Sequence, residues 1–78
     1  MLSVPRIEQN IYEFSLYNQD VRNLVEQGES HRHYDDEWAE QRYVQITATD
    51  EKKATVEINR RFPKSNGFVY TSVVKFMD

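Results

Sequence analysis

Three stretches of the chain alternate between apolar and polar side chains, and two stretches between them repeat at helical spacing. Residues 11–17 place Tyr12, Phe14 and Leu16 on one face and Glu13 and Ser15 on the other, which predicts a half-buried strand. Asn18 follows as a candidate N-cap, with Asp20 in the first turn where the helix dipole favours an acid. Val21, Leu24 and Val25 have i, i+3, i+4 spacing, and Gly28 suits the position after the last turn. A short helix is predicted over 19–27. A second strand is predicted over 42–49, with Val44, Ile46 and Ala48 facing one way and Tyr43, Gln45, Thr47 and Thr49 the other. Thr49 or Asp50 then caps a second helix, which buries the stripe Ala54, Ile58 and Phe62. Pro63 disfavours helical geometry at Phe62 and ends it there. Asn66-Gly67 supplies the positive φ angles of a tight turn.

Residues 68–76 read as the strongest strand. Val69, Thr71 and Val73 share one face; Phe68, Tyr70, Val74 and Phe76 share the other. Apolar character on both faces predicts a central strand or one covered on both sides. Strands two and three, joined through a helix, read as a right-handed crossover between parallel strands. The fold class expected is α+β: a two-layer sandwich with a small three-stranded sheet in β-α-β-α-β order and two helices packed on one face. Two helices cover only one face of such a sheet. The other face is expected to show aromatics, with Tyr43, Phe68, Tyr70 and Phe76 as candidates. A face of that kind suits a partner or a homodimer.

The chain has 78 residues. Residues 1–78 read as one small domain, with a loose leader over 1–9 around Pro5 and an irregular acidic loop over 28–41. A chain this short buries roughly 60% of its unfolded surface, so its stability margin is thin. It has no Cys, which fits a reducing compartment and a cytoplasmic location. No apolar run is long enough to span a bilayer, and residues 1–10 lack the apolar core of a secretory signal. No membrane partner is expected.

The net charge of −3 conceals a split. Residues 1–39 carry eight acids and three bases, whereas residues 40–78 carry seven bases and five acids. From Glu26 to Glu40 six acids stand against Arg32; from Lys52 to Lys64 five bases stand against Glu57. Such asymmetry marks two faces of opposite sign, or two ordinary solvated surfaces.

The chemistry available is sparse. Two glycines rule out a phosphate cradle of the G-x-G-x-x-G or P-loop type, and no G-x-S-x-G elbow is present. No cofactor is implied, and no enzyme is expected. His31, His33 and Asp35 are the nearest approach to a metal set, but a solvated polar loop is the plainer reading. Tyr34, Asp35, Asp36, Glu37, Trp38 and Glu40 suit a different task. Trp and Tyr anchor interfaces, and carboxylates beside them steer and pair with a basic partner. Trp38 as a core residue plugging the end of the sheet is the competing reading. On the second helix Lys52, Lys53 and Arg60 flank Val56, with Arg61 and Lys64 nearby. They form an alternative, nucleic-acid-binding surface, which Glu57 blunts through i, i+4 pairs with Lys53 and Arg61. Gly67-Phe68-Val69 resembles a fragment of the RNA-recognition-motif signature, but the aromatic that leads that signature is missing and the acidic balance does not suit it.

The function expected is therefore a non-enzymatic protein-binding module whose partner presents a basic surface. Nucleic acid is the less favoured partner. In size, acidity and compact α+β outline the chain is similar to many anti-CRISPR proteins. The similarity covers no motif and assigns no residue a role. It implies a small acidic inhibitor from a phage or other mobile element, directed at host defence or nucleic-acid machinery.

Overall fold

The computed structural model describes residues 9–76. Nearly all of the expected leader lies outside them. The elements are β1 (Asn10–Asn18), α1 (Gln19–Glu26), a 3-10 turn (Asp36–Ala39), β2 (Arg42–Ala48), α2 (Glu51–Arg61), a second 3-10 turn (Lys64–Asn66) and β3 (Phe68–Phe76). The architecture is α+β, a three-stranded antiparallel sheet with two helices. Among the described residues no helix is long and apolar enough to cross a membrane.

The sheet order is β2-β1-β3. β1 pairs antiparallel with both neighbours. β2 and β3 therefore run in the same direction, but β1 separates them. This corrects the expectation of a central β3: the central strand is β1, and β3 is an edge. The misleading feature is a register shift. Leu16 pairs with Tyr70 while Ser15 pairs with Ser72, so Thr71 is an extra residue in β3. A bulge of this kind reverses which face the following side chains occupy. Phe68 and Tyr70 share the covered face with Leu16, and beyond the bulge Val73 joins that face opposite Phe14. Val74 and Phe76 pass to the open face, opposite Glu13 and Ile11. β3 is thus apolar on both sides because it changes sides. Phe68 and Tyr70, expected on the uncovered face, pack in the core instead; Tyr43 and Phe76 do lie on the open face.

The core is built on the covered face from Tyr12, Phe14, Leu16, Ile46 and Phe68, closed by Ala54 and Ile58 of α2. Phe62 and Tyr70 pack against its edge. The Tyr70 hydroxyl donates to the Phe62 carbonyl, one of the groups that a helix end leaves unpaired. α1 packs chiefly against the Asp36–Ala39 turn and buries Val21 completely. It ends in a Schellman motif: Glu29 N–H donates to Leu24 O at 2.8 Å and Gly28 N–H to Val25 O at 3.0 Å, with Gly28 at φ 75°. At α2 it is Asp50 that caps, accepting from Lys53 N–H at 2.7 Å.

One junction ties the elements together. Asn18 is fully buried. Its Oδ1 accepts from Val21 N–H at 3.0 Å, capping α1, and its Nδ2 donates to Asn66 O at 3.0 Å. Gln19 N–H donates to Gly67 O at 2.8 Å. Gly67 has φ 98°, and a Cβ there would lie 2.6 Å from Asp20 Oδ2 and 2.9 Å from Asn18 Oδ1.

Gly67→Ala is expected to destabilise the fold by about 2–4 kcal/mol, through left-handed strain plus displacement of the bonded Asn18 amide. Gly28→Ala meets nothing within 4 Å and should cost about 1–2 kcal/mol, the backbone strain alone. Urea denaturation of both variants measures the difference; equal losses would remove the role given to the Gly67 contact.

Burial pushes the Tyr70 phenol above its ordinary range. A raised folded-state value means that the contribution is complete below the unfolded value of about 10 and is lost as pH rises through the folded one. Wild type is therefore expected to exceed Tyr70→Phe by about 1 kcal/mol at neutral pH. That gap should narrow on alkaline titration, read as the difference in denaturation midpoints. A gap that does not change with pH would place the stabilisation elsewhere.

Candidate functional site

The segment between α1 and β2 is irregular but anchored. His31 folds back on its own chain: Nδ1 accepts from His33 N–H at 3.0 Å and Tyr34 N–H at 3.3 Å. That turn aims Tyr34 at the sheet, where its ring meets Phe68 edge-on at 5.1 Å and its hydroxyl accepts from Asn66 Nδ2 at 3.1 Å. The 3-10 turn then brings in Trp38, with Asp35 O accepting from Trp38 N–H at 3.0 Å. Asp35 occupies the cap position without a side-chain cap bond. Trp38 lies 5.2 Å from both Phe62 and Phe68. The two aromatics predicted as partner anchors are thus half-buried and close the end of the core.

The carboxylates of the same segment point outward. Asp35, Asp36, Glu37 and Glu40 are all exposed. Asp36 accepts from Ser30 Oγ at 3.3 Å. Glu37 meets Arg42 at 3.3 Å, while the Arg42 guanidinium lies 4.8 Å from the Trp38 ring centroid. Both partners of that ion pair are solvent-accessible, so it contributes little to stability. The main clamp is Arg22, which carries no signal in the sequence as a functional residue. Its Nε donates to Ala39 O at 2.8 Å, and its guanidinium stacks 3.6 Å from the centroid of Tyr17. The acidic surface therefore rests on aromatic and backbone contacts beneath it.

His31 and His33 lie with ring centroids 6.0 Å apart, and the Nδ1 of His31 is committed to the backbone. Among the described residues no three His, Asp or Glu side chains converge to hold a metal.

The basic residues of α2 are divided. Glu57 binds Arg60 at 2.6 Å and Arg61 at 2.7 Å, rather than Lys53 and Arg61 as its spacing suggests. The hydrogen bonds from Arg60 and Arg61 hold its carboxyl below the usual range. Lys64 sits 5.6 Å from the Tyr70 ring centroid. Lys52, Lys53 and Val56 remain exposed and line a recess with Asp50.

The open sheet face shows Tyr43, which is 62% exposed, together with Ile11, Val69, Val74 and Phe76. Polar contacts cross its middle: Gln45 Nε2 donates to Glu13 Oε2 at 3.3 Å, and Ser72 Oγ to Ser15 Oγ at 3.0 Å. They interrupt the apolar surface. The chain matches no protein-family model, no curated protein and no solved structure.

Proposed function

We propose that the protein is a non-enzymatic binding module that engages a basic surface of a partner protein through Asp35, Asp36, Glu37 and Glu40. The observation that carries this reading is how the segment is held. Tyr34 and Trp38 root it in the core, so the backbone that displays its carboxylates has little conformational freedom left to lose on binding. Like charges held close together raise the local field and steer a basic partner. The opposing surface is weaker, because Glu57 gathers in Arg60 and Arg61. In its specific form the proposal is a small acidic inhibitor from a phage or other mobile element, acting in the cytoplasm on basic surfaces of host defence or nucleic-acid machinery. Size, acidity and the separation of charge support that form.

The test compares two charge reversals: Asp35→Lys with Asp36→Lys and Glu37→Lys, against Lys52→Glu with Lys53→Glu. Partners captured from the native host by each tagged protein are identified by mass spectrometry, and the binding of any shared partner is then measured with purified components. The acidic reversal should weaken a basic partner by roughly tenfold or more, and the lysine reversal far less. The opposite ranking would move the site to α2. Direct binding of DNA or RNA that weakens steeply with rising salt would then identify nucleic acid as the partner.

A further inference from the structure

We infer that the cleft between the start of α1, the His31–Tyr34 turn and the second 3-10 turn receives one arginine side chain of the partner. The source of the arginine rests on the proposed reading of a basic partner; the chemistry of the cleft does not.

The cleft has a volume of about 440 Å³ and is lined by Asp20, His31, His33, Tyr34, Ser65 and Asn66. That volume lies within the roughly 300–1,000 Å³ of small-ligand sites. Among the described residues Asp20 is the only acid in the lining, and no Lys or Arg joins it. Its side chain is exposed, and among the described residues it has no ion-pair partner within 4.0 Å. Its place depends on the glycine beside it, since Oδ2 occupies space that a Cβ at position 67 would contest. Asn66 is oriented as well. Its Nδ2 donates to the Tyr34 hydroxyl, which leaves Oδ1 as its free acceptor.

The remaining wall is aromatic. The His31 ring lies 5.1 Å from Tyr34 and 6.0 Å from His33, tilted against both. Because Nδ1 of His31 accepts two backbone N–H groups, the ring is fixed in place. A carboxylate, an amide oxygen and three aromatic rings form a site for a cation. An anion would face Asp20, and an apolar group would leave the acceptors unpaired. Between the two basic side chains, guanidinium fits better. It is planar, presents donors in a fork to a carboxylate and stacks on rings, whereas ammonium is compact and strongly hydrated. Arg32 lies between the histidines in sequence but is exposed and not part of the lining. A neighbouring recess shares His31 and Tyr34 and adds Asp35, Asp36 and Glu37. The acidic segment and the cleft are therefore continuous, and one basic segment of a partner can occupy both.

The test uses the full chain and N-acetyl-L-argininamide, whose only charge is the guanidinium. Amide chemical shifts are followed by NMR during titration at constant ionic strength, with N-acetyl-L-lysinamide and free L-arginine as comparisons. Saturable shifts are expected at Asp20, His31, His33, Tyr34, Ser65 and Asn66, with the lysine compound weaker. Asp20→Asn should weaken binding by roughly fivefold, the upper end for an exposed ion pair. Glu51→Gln, exposed at the start of α2 and outside the cleft, should leave it unchanged. His33→Ala gives a second variant, since its ring is exposed; it should also weaken binding without changing the denaturation midpoint. Shifts confined to residues 35–37, or no saturable shift, would overturn the cleft while leaving the acidic-surface reading intact. An equal response to the lysine compound would overturn the guanidinium assignment. Tighter binding of free L-arginine than of the capped form would assign the cleft to a free amino acid instead of a partner.

Discussion

The fold turns on one buried amide. Asn18 stands where β1 ends, α1 begins and β3 starts, since it is also the register partner of Phe68. Its side chain satisfies an orphan donor of the helix and a carbonyl of the turn that precedes β3. No apolar residue of similar size can do both. Removing the amide would leave the Val21 N–H buried without a partner, at about 1–3 kcal/mol, and would also release the partly buried Asn66 carbonyl. Against a total stability of about 5–15 kcal/mol that is a large share. This polar side chain, deep in a small core, fixes geometry. It sets the direction in which α1 leaves the sheet, and it holds Gly67 close enough that no Cβ fits between them.

The register of β3 follows from that starting point, and its bulge explains what the sequence hides. β1, β2 and α2 were legible because each keeps one period from end to end: Tyr12, Phe14 and Leu16; Val44, Ile46 and Ala48; Ala54, Ile58 and Phe62. The caps at Asn18, Asp50 and Gly28 were legible because their chemistry is local. β3 breaks its period at Thr71, whose hydroxyl donates to Ser15 O at 3.1 Å. Periodicity assumes that no residue is inserted, so it counted two faces of one strand as evidence of a central position. The order of strands was also beyond a local reading. Whether β1 or β3 lies in the middle depends on which edges meet, and no single strand carries that information.

The charge split was visible in the composition, but its meaning depends on which charges the fold employs. Arg22 is drawn onto Tyr17 and Ala39, Arg42 onto Trp38 and Glu37, and Arg60 and Arg61 onto Glu57. Each of these guanidinium groups serves the protein's own surface. Among the described residues, of the acids between Glu26 and Glu40 only Asp36 and Glu37 hydrogen-bond to side chains, both at the surface. A formal charge of −3 therefore understates the field presented by the acidic face. The same distinction resolves the two readings of Tyr34 and Trp38. Their rings belong to the core, and the carboxylates between them belong to the surface.

The cleft shows why a site of this kind leaves no motif. Asp20, the 31–34 turn and Ser65-Asn66 come from three parts of the chain, and each reads locally as something ordinary: a helix first turn, a polar loop and a β-turn. What brings them together is the chain of bonds from Val21 N–H through Asn18 to Asn66 O, extended by Asn66 Nδ2 to the Tyr34 hydroxyl. Asn66 therefore links the core junction to the surface through opposite ends of one residue, its backbone carbonyl inward and its side-chain amide outward. A change that disturbed the amide alone would loosen the wall of the cleft and leave the junction intact. Binding and folding thus meet at one residue but depend on different atoms of it.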